Sequence, residues 1–577
     1  MKDIVSKTIK NRAFILSFSS LLTIASTTFF SARRIAFYDF NFLANGLHRM
    51  SLGQLPYKDF DLVLPPFTFL PAYLFHQLLN IDIYSAIFLS AIVTQLFSIV
   101  AFHSILQSLF RRKIEQLNNT LLVTLMISAA VINVISIYPN YIYDSVATSL
   151  TLGALATLLK YLQLGEYKFL FITFILSTFS FFTKFNMGGS LILGVVLARI
   201  LVLGKNRHFK KIFLEVFILI VLLVSALSSL TFLGIESFIA QTVVAPSEFK
   251  GVTKLGQLAQ YNYPLLIALL AAILISFQIE FIRKRVVRYV SVLIMFGLGI
   301  SLLQSLFFVN SDRLATESIF PSANFIYPVV MLLALHQLLF TRSTQTIDLT
   351  MLLIVIPIYF FGTFLSQGWS GSSYSLNPLL LILLVTIYLT QEEKEEVKSR
   401  VVPLAISALI FVNFLTMGLT GNRLGYVENG GIRSQSFNWT IVGMATSSQD
   451  FYALKQAHDF IDRKEYVGTI VEFPAEDSLE QFSSDLIPWS RCLQFTFICP
   501  TKSNQSLLED FTTNTPDVVV LKKQTQIGKN IEPIVALIQP ILKSCFTDKF
   551  SNSVYTIFRA DANVQSCIKN IETALDE

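Results

Sequence analysis

The chain has 577 residues, 53% of them hydrophobic and 14% charged, with a formal net charge of +6. A soluble protein of that length would form about four domains and would need roughly 25% charged residues to cover them. Mean hydropathy is +0.60, which excludes a soluble enzyme, an apolar-poor disordered chain and a collagen-like repeat. Lipid must cover much of the surface.

A helix needs about 20 apolar residues to cross about 30 Å of hydrocarbon. Apolar runs near that length fall at 13–32, 83–109, 120–137, 146–163, 167–183, 188–204, 212–234, 263–281, 289–309, 325–340, 349–366, 377–390 and 401–419, about thirteen in all. The first has no small-residue cleavage site before Arg33-Arg34, and further spans follow. It is therefore expected to remain as an anchor rather than a signal peptide.

With the N-terminus inside, the inner loops collect Lys2, Lys7, Lys10 and Arg12, then Arg111, Arg112 and Lys113, then Lys205, Arg207, Lys210 and Lys211. Arg283, Lys284, Arg285, Arg288, Arg342, Lys394, Lys398 and Arg400 follow the same pattern. Such a bias marks cytoplasmic loops. An odd span count then puts everything after about 420 outside. The expected fold class is a polytopic α-helical membrane protein with about thirteen transmembrane helices over 1–419 and a C-terminal exoplasmic α/β domain over 420–577. The expected location is the plasma (inner) membrane, with a cytoplasmic N-terminus.

Past residue 420 the composition shifts to short apolar strands alternating with amphipathic helices. Strands are predicted over 468–473, 517–521 and 554–558, and helices over 450–463, 503–512 and 530–543. No GxGxxG and no Walker loop occurs, so nothing points to a nucleotide. All four cysteines, Cys492, Cys499, Cys545 and Cys567, fall in this tail. Neighbours in sequence meet most easily, so Cys492–Cys499 and Cys545–Cys567 are the expected disulfides. Disulfides suit an oxidising compartment and so agree with the charge-derived orientation.

Ionisable residues near a membrane are functional candidates, and here they gather on the outer side. The loop after the first span carries Arg33-Arg34, Tyr38-Asp39 and Asn41, then Gly53-Gln-Leu-Pro-Tyr57-Lys-Asp59-Phe-Asp61, then Pro65-Pro66. It is about fifty residues long, and long ordered loops are usually functional. A second outer loop ends at Asp144, a third reads Thr183-Lys184-Phe-Asn186-Met-Gly188, and a later one carries Asp312-Arg313. A carboxylate in such a set can take a proton from an acceptor hydroxyl, and cations can hold a departing phosphate.

Each residue also has a plain structural reading. Asp39 could cap a helix or pair with Arg33 or Arg34. Asp144 could be an N-cap, Lys184 a snorkelling helix-end lysine, Arg33-Arg34 headgroup anchors and Asp59 a turn residue. The six histidines are scattered, and no metal-ligand spacing occurs.

These motifs resemble the bacterial GT-C fold glycosyltransferases that use polyprenyl-phosphate-linked sugars. The relatives in view are the protein O-mannosyltransferases, the lipid A aminoarabinose transferases and the core-sugar transferases. The match lies in Asp39 just after span one, the Gly53 to Phe60 stretch, the Thr183 to Gly188 stretch and Asp312-Arg313. Phe40 stands where the family often has a second acid, and Ser318 or a neighbour where it often has a histidine.

The resemblance implies Asp39 as catalytic base. Asp59, Asp144, Tyr57 and Asn186 would bind the sugar or acceptor. Lys184 and Arg313, with Arg33 or Arg34, would hold the donor phosphate. The reaction it implies is direct displacement at the anomeric carbon with inversion, polyprenyl phosphate leaving. The implied partners are a polyprenyl-phosphate sugar donor, a glycan, lipid or protein acceptor, and the bilayer, with no nucleic acid. A divalent cation (Mg or Mn) is the one cofactor the resemblance admits. A multi-pass lipid or polysaccharide transporter or flippase is the chief rival. It would want polar residues at the bilayer midplane and internal repeats. A non-catalytic membrane scaffold is the second rival.

Overall fold

A computed structural model of the protein describes residues 2–31, 37–110, 143–205, 209–229, 234–244, 350–359, 466–473, 486–492, 504–523 and 532–576, with isolated positions in 126–130, at 362 and in 453–463. The spans expected at 263–281, 289–309, 325–340, 377–390 and 401–419, and most of 120–137, lie outside the described residues. The chain divides into two compact units. One comprises Met1–Arg34, Phe88–Ser229 and Gly251–Arg433, the other Ile35–Ile87, Leu230–Lys250 and Ser434–Glu577. Where the sequence reading sets one break near 420, the second unit gathers the long first loop and residues 230–250 with the tail.

The described residues of unit one are helical. Its described helices are α1 (Lys2–Ser31), most of α4 (Ile83–Phe110), α5 (Tyr143–Leu164), α6 (Tyr167–Phe181), α7 (Phe185–Lys205), α8 (Phe209–Ser229) and α10 (Thr350–Tyr359). Among the described residues, Ser85–Ser108, Tyr143–Leu164 and Lys210–Ser228 are long and apolar enough to cross a membrane. Shorter apolar helices lie at Ala13–Thr28, Tyr167–Phe181, Phe185–Leu201 and Thr350–Tyr359.

The connection between α5 and α6 is two residues long. Gly165 supplies a positive φ of 72° there, and its N–H closes on Tyr161 O at 2.8 Å. This is the left-handed helix ending that glycine permits. A link this short forces an antiparallel hairpin. Small hydroxyl side chains then join the two helices. Thr157 Oγ1 meets Thr173 Oγ1 at 2.9 Å, and Ser180 Oγ donates to Ala147 O at 3.3 Å. Small polar residues at such contacts let membrane helices approach closely.

Unit two holds α2 (Phe37–Ser51), α3 (Leu70–Leu79) and the short α9 (Ile235–Ile239), which runs on as a π turn over Ala240–Val244. It also holds a five-stranded sheet. The strands are β1 (Gly468–Phe473), β2 (Leu486–Pro488), β3 (Val518–Lys522), β4 (Phe546–Ser551) and β5 (Tyr555–Ala560), in the order β2-β1-β3-β5-β4. β1 runs parallel to β2 and β3, with Val471 opposite Val519. β5 is antiparallel to both β3 and β4.

The helices α11 (Asn504–Thr513), α12 (Glu532–Cys545) and α13 (Val564–Asp576) accompany the strands. Phe473, Phe511, Val519, Ile538, Leu542 and Phe558 share one core. β2, β4 and α13 were not predicted from sequence. β2 is three residues long, and β4 begins directly where α12 ends, so neither offers a turn signal to read.

Candidate functional site

The α5–α6 hairpin brings the start of one helix to the end of the other. Asp144 lies in the first turn of α5, and Lys184 lies between α6 and α7. They are 2% and 7% exposed and form an ion pair. The Lys184 ammonium also lies 4.7 Å from the centre of the Tyr143 ring. Lys184 therefore does not reach outward to water. Its charge is buried beside a carboxylate and an aromatic face. Isolated burial of either charge would be very costly, and pairing is what makes it tolerable.

The rest of the Thr183 to Gly188 stretch serves the same corner. Thr183 Oγ1 donates to Phe179 O at 2.7 Å, and the Gly188 N–H to Lys184 O at 3.0 Å. A Cβ at position 188 would lie 2.1 Å from Phe181 N, so α7 can begin this close to the end of α6 only with glycine there. Asn186 Nδ2 donates to Gly362 O at 3.0 Å, and Tyr359 OH meets Thr148 Oγ1 at 3.1 Å. Asp144, Lys184 and Asn186 thus fall in one region of unit one. Tyr359 belongs there too and had no sequence signal, being one tyrosine in an apolar run.

In unit two, Tyr57 is fully buried at φ 67°, with its ring edge-on to Phe238 at 5.1 Å and its hydroxyl donating to Leu64 O at 2.5 Å. Burial pushes its phenol well above the ordinary tyrosine range. Asp59 is exposed and accepts the Leu55 N–H at 2.7 Å, which closes a turn. The buried acid of this loop is Asp61, at 0% exposure. Its carboxylate accepts from Gln241 Nε2 at 3.1 Å and faces Arg491 at 3.4 Å, and its N–H donates to Arg491 O at 2.7 Å.

Arg49, on α2, donates to Ser490 O at 2.5 Å and to Asn45 Oδ1 at 3.1 Å. Its neighbour His48 is held down at about 4 by burial, then by the Arg49 charge and that of His76. Sequence reasoning passed over Asp61, Arg49, Gln241 and Arg491. Asp61 sat in a string already singled out; the other three had no signal.

Asp39 lies in the first turn of α2, with its side chain outside the described residues. Arg33, Arg34, Arg313 and Cys499 also lie outside them. Cys545 and Cys567 form a disulfide, and Cys492 is disulfide-bonded. Among the described residues, no group of three or more His, Cys, Asp or Glu could hold a metal ion.

No model of a known protein family matches the chain, and no curated protein sequence does. Among solved structures, the chain is similar to ArnT from Cupriavidus metallidurans bound to undecaprenyl phosphate. That likeness has 10% identity and a TM-score of 0.41, over 96% of this chain and 98% of the other. It is also similar to the Archaeoglobus fulgidus oligosaccharyltransferase in the apo form, at 10% identity and a TM-score of 0.46, over 89% of this chain and 69% of the other.

Proposed function

We propose that the protein is an integral-membrane inverting glycosyltransferase. It moves a sugar from a polyprenyl-phosphate donor to an envelope lipid, glycan or protein acceptor on the exoplasmic side. The observation that carries this reading is the buried Asp144–Lys184 pair at the end of two membrane helices. An ammonium has three donors, and one of them goes to Asp144. A phosphate oxygen arriving beside Lys184 would meet a fixed, desolvated cation. Such preset charge gives most where negative charge grows as a bond breaks.

In this reaction the acceptor hydroxyl oxygen attacks the anomeric carbon, and its proton passes to the Asp39 carboxylate. The carbon–oxygen bond to phosphate breaks, and polyprenyl phosphate leaves with the electron pair. Lys184 balances the charge on that phosphate, and Asp144 holds Lys184 in place. In this reading Asp59, Asp144, Tyr57 and Asn186 bind the sugar or the acceptor, and Arg313, Arg33 and Arg34 add cations for the donor.

The test is reconstitution of the purified protein with a polyprenyl-phosphate sugar and an envelope extract, with products read by mass spectrometry. Lys184→Met and Asp39→Asn are each expected to slow transfer at least 100-fold, about 2.7 kcal/mol of barrier. Undiminished transfer by both variants, or lipid movement across the bilayer without transfer, would overturn the reading.

A further inference from the structure

Residues 351–358 of α10 are apolar throughout, and Tyr359 ends that run. Its side chain is fully buried. A phenol hydroxyl in such surroundings needs a bonding partner, and it finds two on α5. Its oxygen lies 3.1 Å from Thr148 Oγ1, and Thr151, on the next turn, also bonds it. Thr148 follows Asp144 by one turn, about 6 Å along the helix axis.

Just beyond α10 the same segment holds α7. Asn186 Nδ2, next but one after Lys184 in the chain, donates to Gly362 O at 3.0 Å. The approach is close. A Cβ at position 362 would lie 1.5 Å from Ser190 Oγ, and one at position 194 would lie 3.1 Å from Val355 Cα. Ser190 and Gly194 stand one turn apart, so a small-residue face of α7 admits the backbone of α10 and the residues after it.

These bonds meet on either side of the Asp144–Lys184 pair. The lysine ammonium rides on a flexible four-carbon stem, so where it rests depends on how the starts of α5 and α7 are spaced. The covalent link at Gly165-Glu166 is at the far end of α5, about 30 Å away. A direct α5–α6 bond near the pair, Ser180 Oγ to Ala147 O, is 3.3 Å long, beyond the usual range for a hydroxyl donor. The segment from Tyr359 to Gly362 ties both starts together across the corner.

We propose that Tyr359 is a positioning residue. Through Thr148 on one side and, by way of Gly362, Asn186 on the other, it fixes the start of α5 against the start of α7. The Lys184 ammonium is thereby kept against Asp144. The part Tyr359 plays in the reaction rests on the phosphate role proposed for Lys184; its part in holding the pair does not.

The test is amine labelling of the intact protein in detergent micelles with acetic anhydride, read lysine by lysine by peptide mass spectrometry. Lys210, which is exposed, is the reference. In the wild-type protein Lys184 should label about tenfold more slowly than Lys210, because its ammonium is buried and paired. Tyr359→Phe deletes one oxygen and keeps the ring, and should raise the Lys184 rate about fivefold relative to Lys210. Thr157→Val removes the Thr157–Thr173 bond further along the hairpin and should leave the Lys184 rate within about twofold of wild type. An unchanged Lys184 rate in folded Tyr359→Phe overturns the proposal. So does an equal rise in Thr157→Val, which would mark general loosening. If Tyr359→Phe does not fold, Asn186→Ala, which frees the other end of the segment, is read in the same way. In the transfer assay Tyr359→Phe should lower kcat about tenfold and change the donor KM less than about threefold, because a fixed charge acts most where charge grows. Faster labelling with undiminished transfer would support the positioning and overturn the role proposed for Lys184 in the reaction.

Discussion

Among the described residues of unit one two ion pairs are buried, and they are built differently. Asp144 and Tyr161 stand about 25 Å apart along α5 at 1.5 Å per residue, and each marks one pair. At the first, a lysine ammonium meets one aspartate beside a tyrosine ring. At the second, Arg199 grips both oxygens of Glu215, and Tyr161 adds a third bond. The Arg–Glu pair has the planar two-point geometry that engages both oxygens of the carboxylate. A lysine is a point charge that can be shared with a newcomer. The comparison teaches that burial and charge alone do not mark a reactive site; what matters is whether the pair can admit a third group.

The largest effect that would break this contrast concerns stability against activity. Glu215→Gln leaves Arg199 buried without its counter-charge, which costs about 3–5 kcal/mol. Transfer per folded molecule should stay near the wild-type value. The double change Arg199→Met/Glu215→Leu should recover most of the stability, because apolar replacement of a buried pair is often neutral. Asp144→Asn should cost a similar amount of stability but also lose transfer. Denaturant unfolding in detergent micelles, run beside the transfer assay, measures both. Equal losses of activity at the two ends would erase the distinction.

These ends differed in how far they could be read from sequence. Lys184 broke an apolar stretch and sat in a patterned motif, so it stood out at once. Its partner Asp144 was also singled out, but their meeting depends on the two-residue link at Gly165-Glu166. Arg199 and Glu215 lie inside α7 and α8 and read as parts of two apolar spans. A charge buried within a helix looks the same in a sequence as one facing lipid headgroups. Strands β1, β3 and β5 were legible because their apolar runs are bounded by turn residues. The assembly of unit two from three chain segments was not. Nothing local in Gln241 or Arg491 announces a bond to a loop 180 or 430 residues away.

Unit two offers a test through pH. His48 is held at about 4, below its ordinary 6.5, by burial and then by the charges of Arg49 and His76. Between those values the unfolded chain binds the proton and the folded one does not, so stability rises with pH across the window. It is fully present above about 6.5 and is lost as pH falls toward 4, to the extent of about 3 kcal/mol. Hydrogen exchange of α2 at pH 7.5 and pH 4.5 should show protection falling at the lower pH. His48→Gln should flatten that dependence. A wild-type α2 equally protected at both values would show that His48 is not held neutral in the fold.

The smallest expected effect separates Asp59 from Asp144. Asp59 is exposed and takes one backbone hydrogen bond from Leu55. A single such bond contributes about 0.5–1.5 kcal/mol. If that turn is all Asp59 serves, Asp59→Ala should lower stability by no more than this, with transfer falling only as the folded fraction falls. If the carboxylate also positions an acceptor, transfer should drop at least tenfold at unchanged folded fraction, and the KM for acceptor should rise with it. Two carboxylates were placed together in the sequence reading as substrate ligands. Asp144 is buried against a cation and Asp59 faces outward on a turn, so the two variants should fail in different ways. Only a selective loss of acceptor binding would put them back in one role.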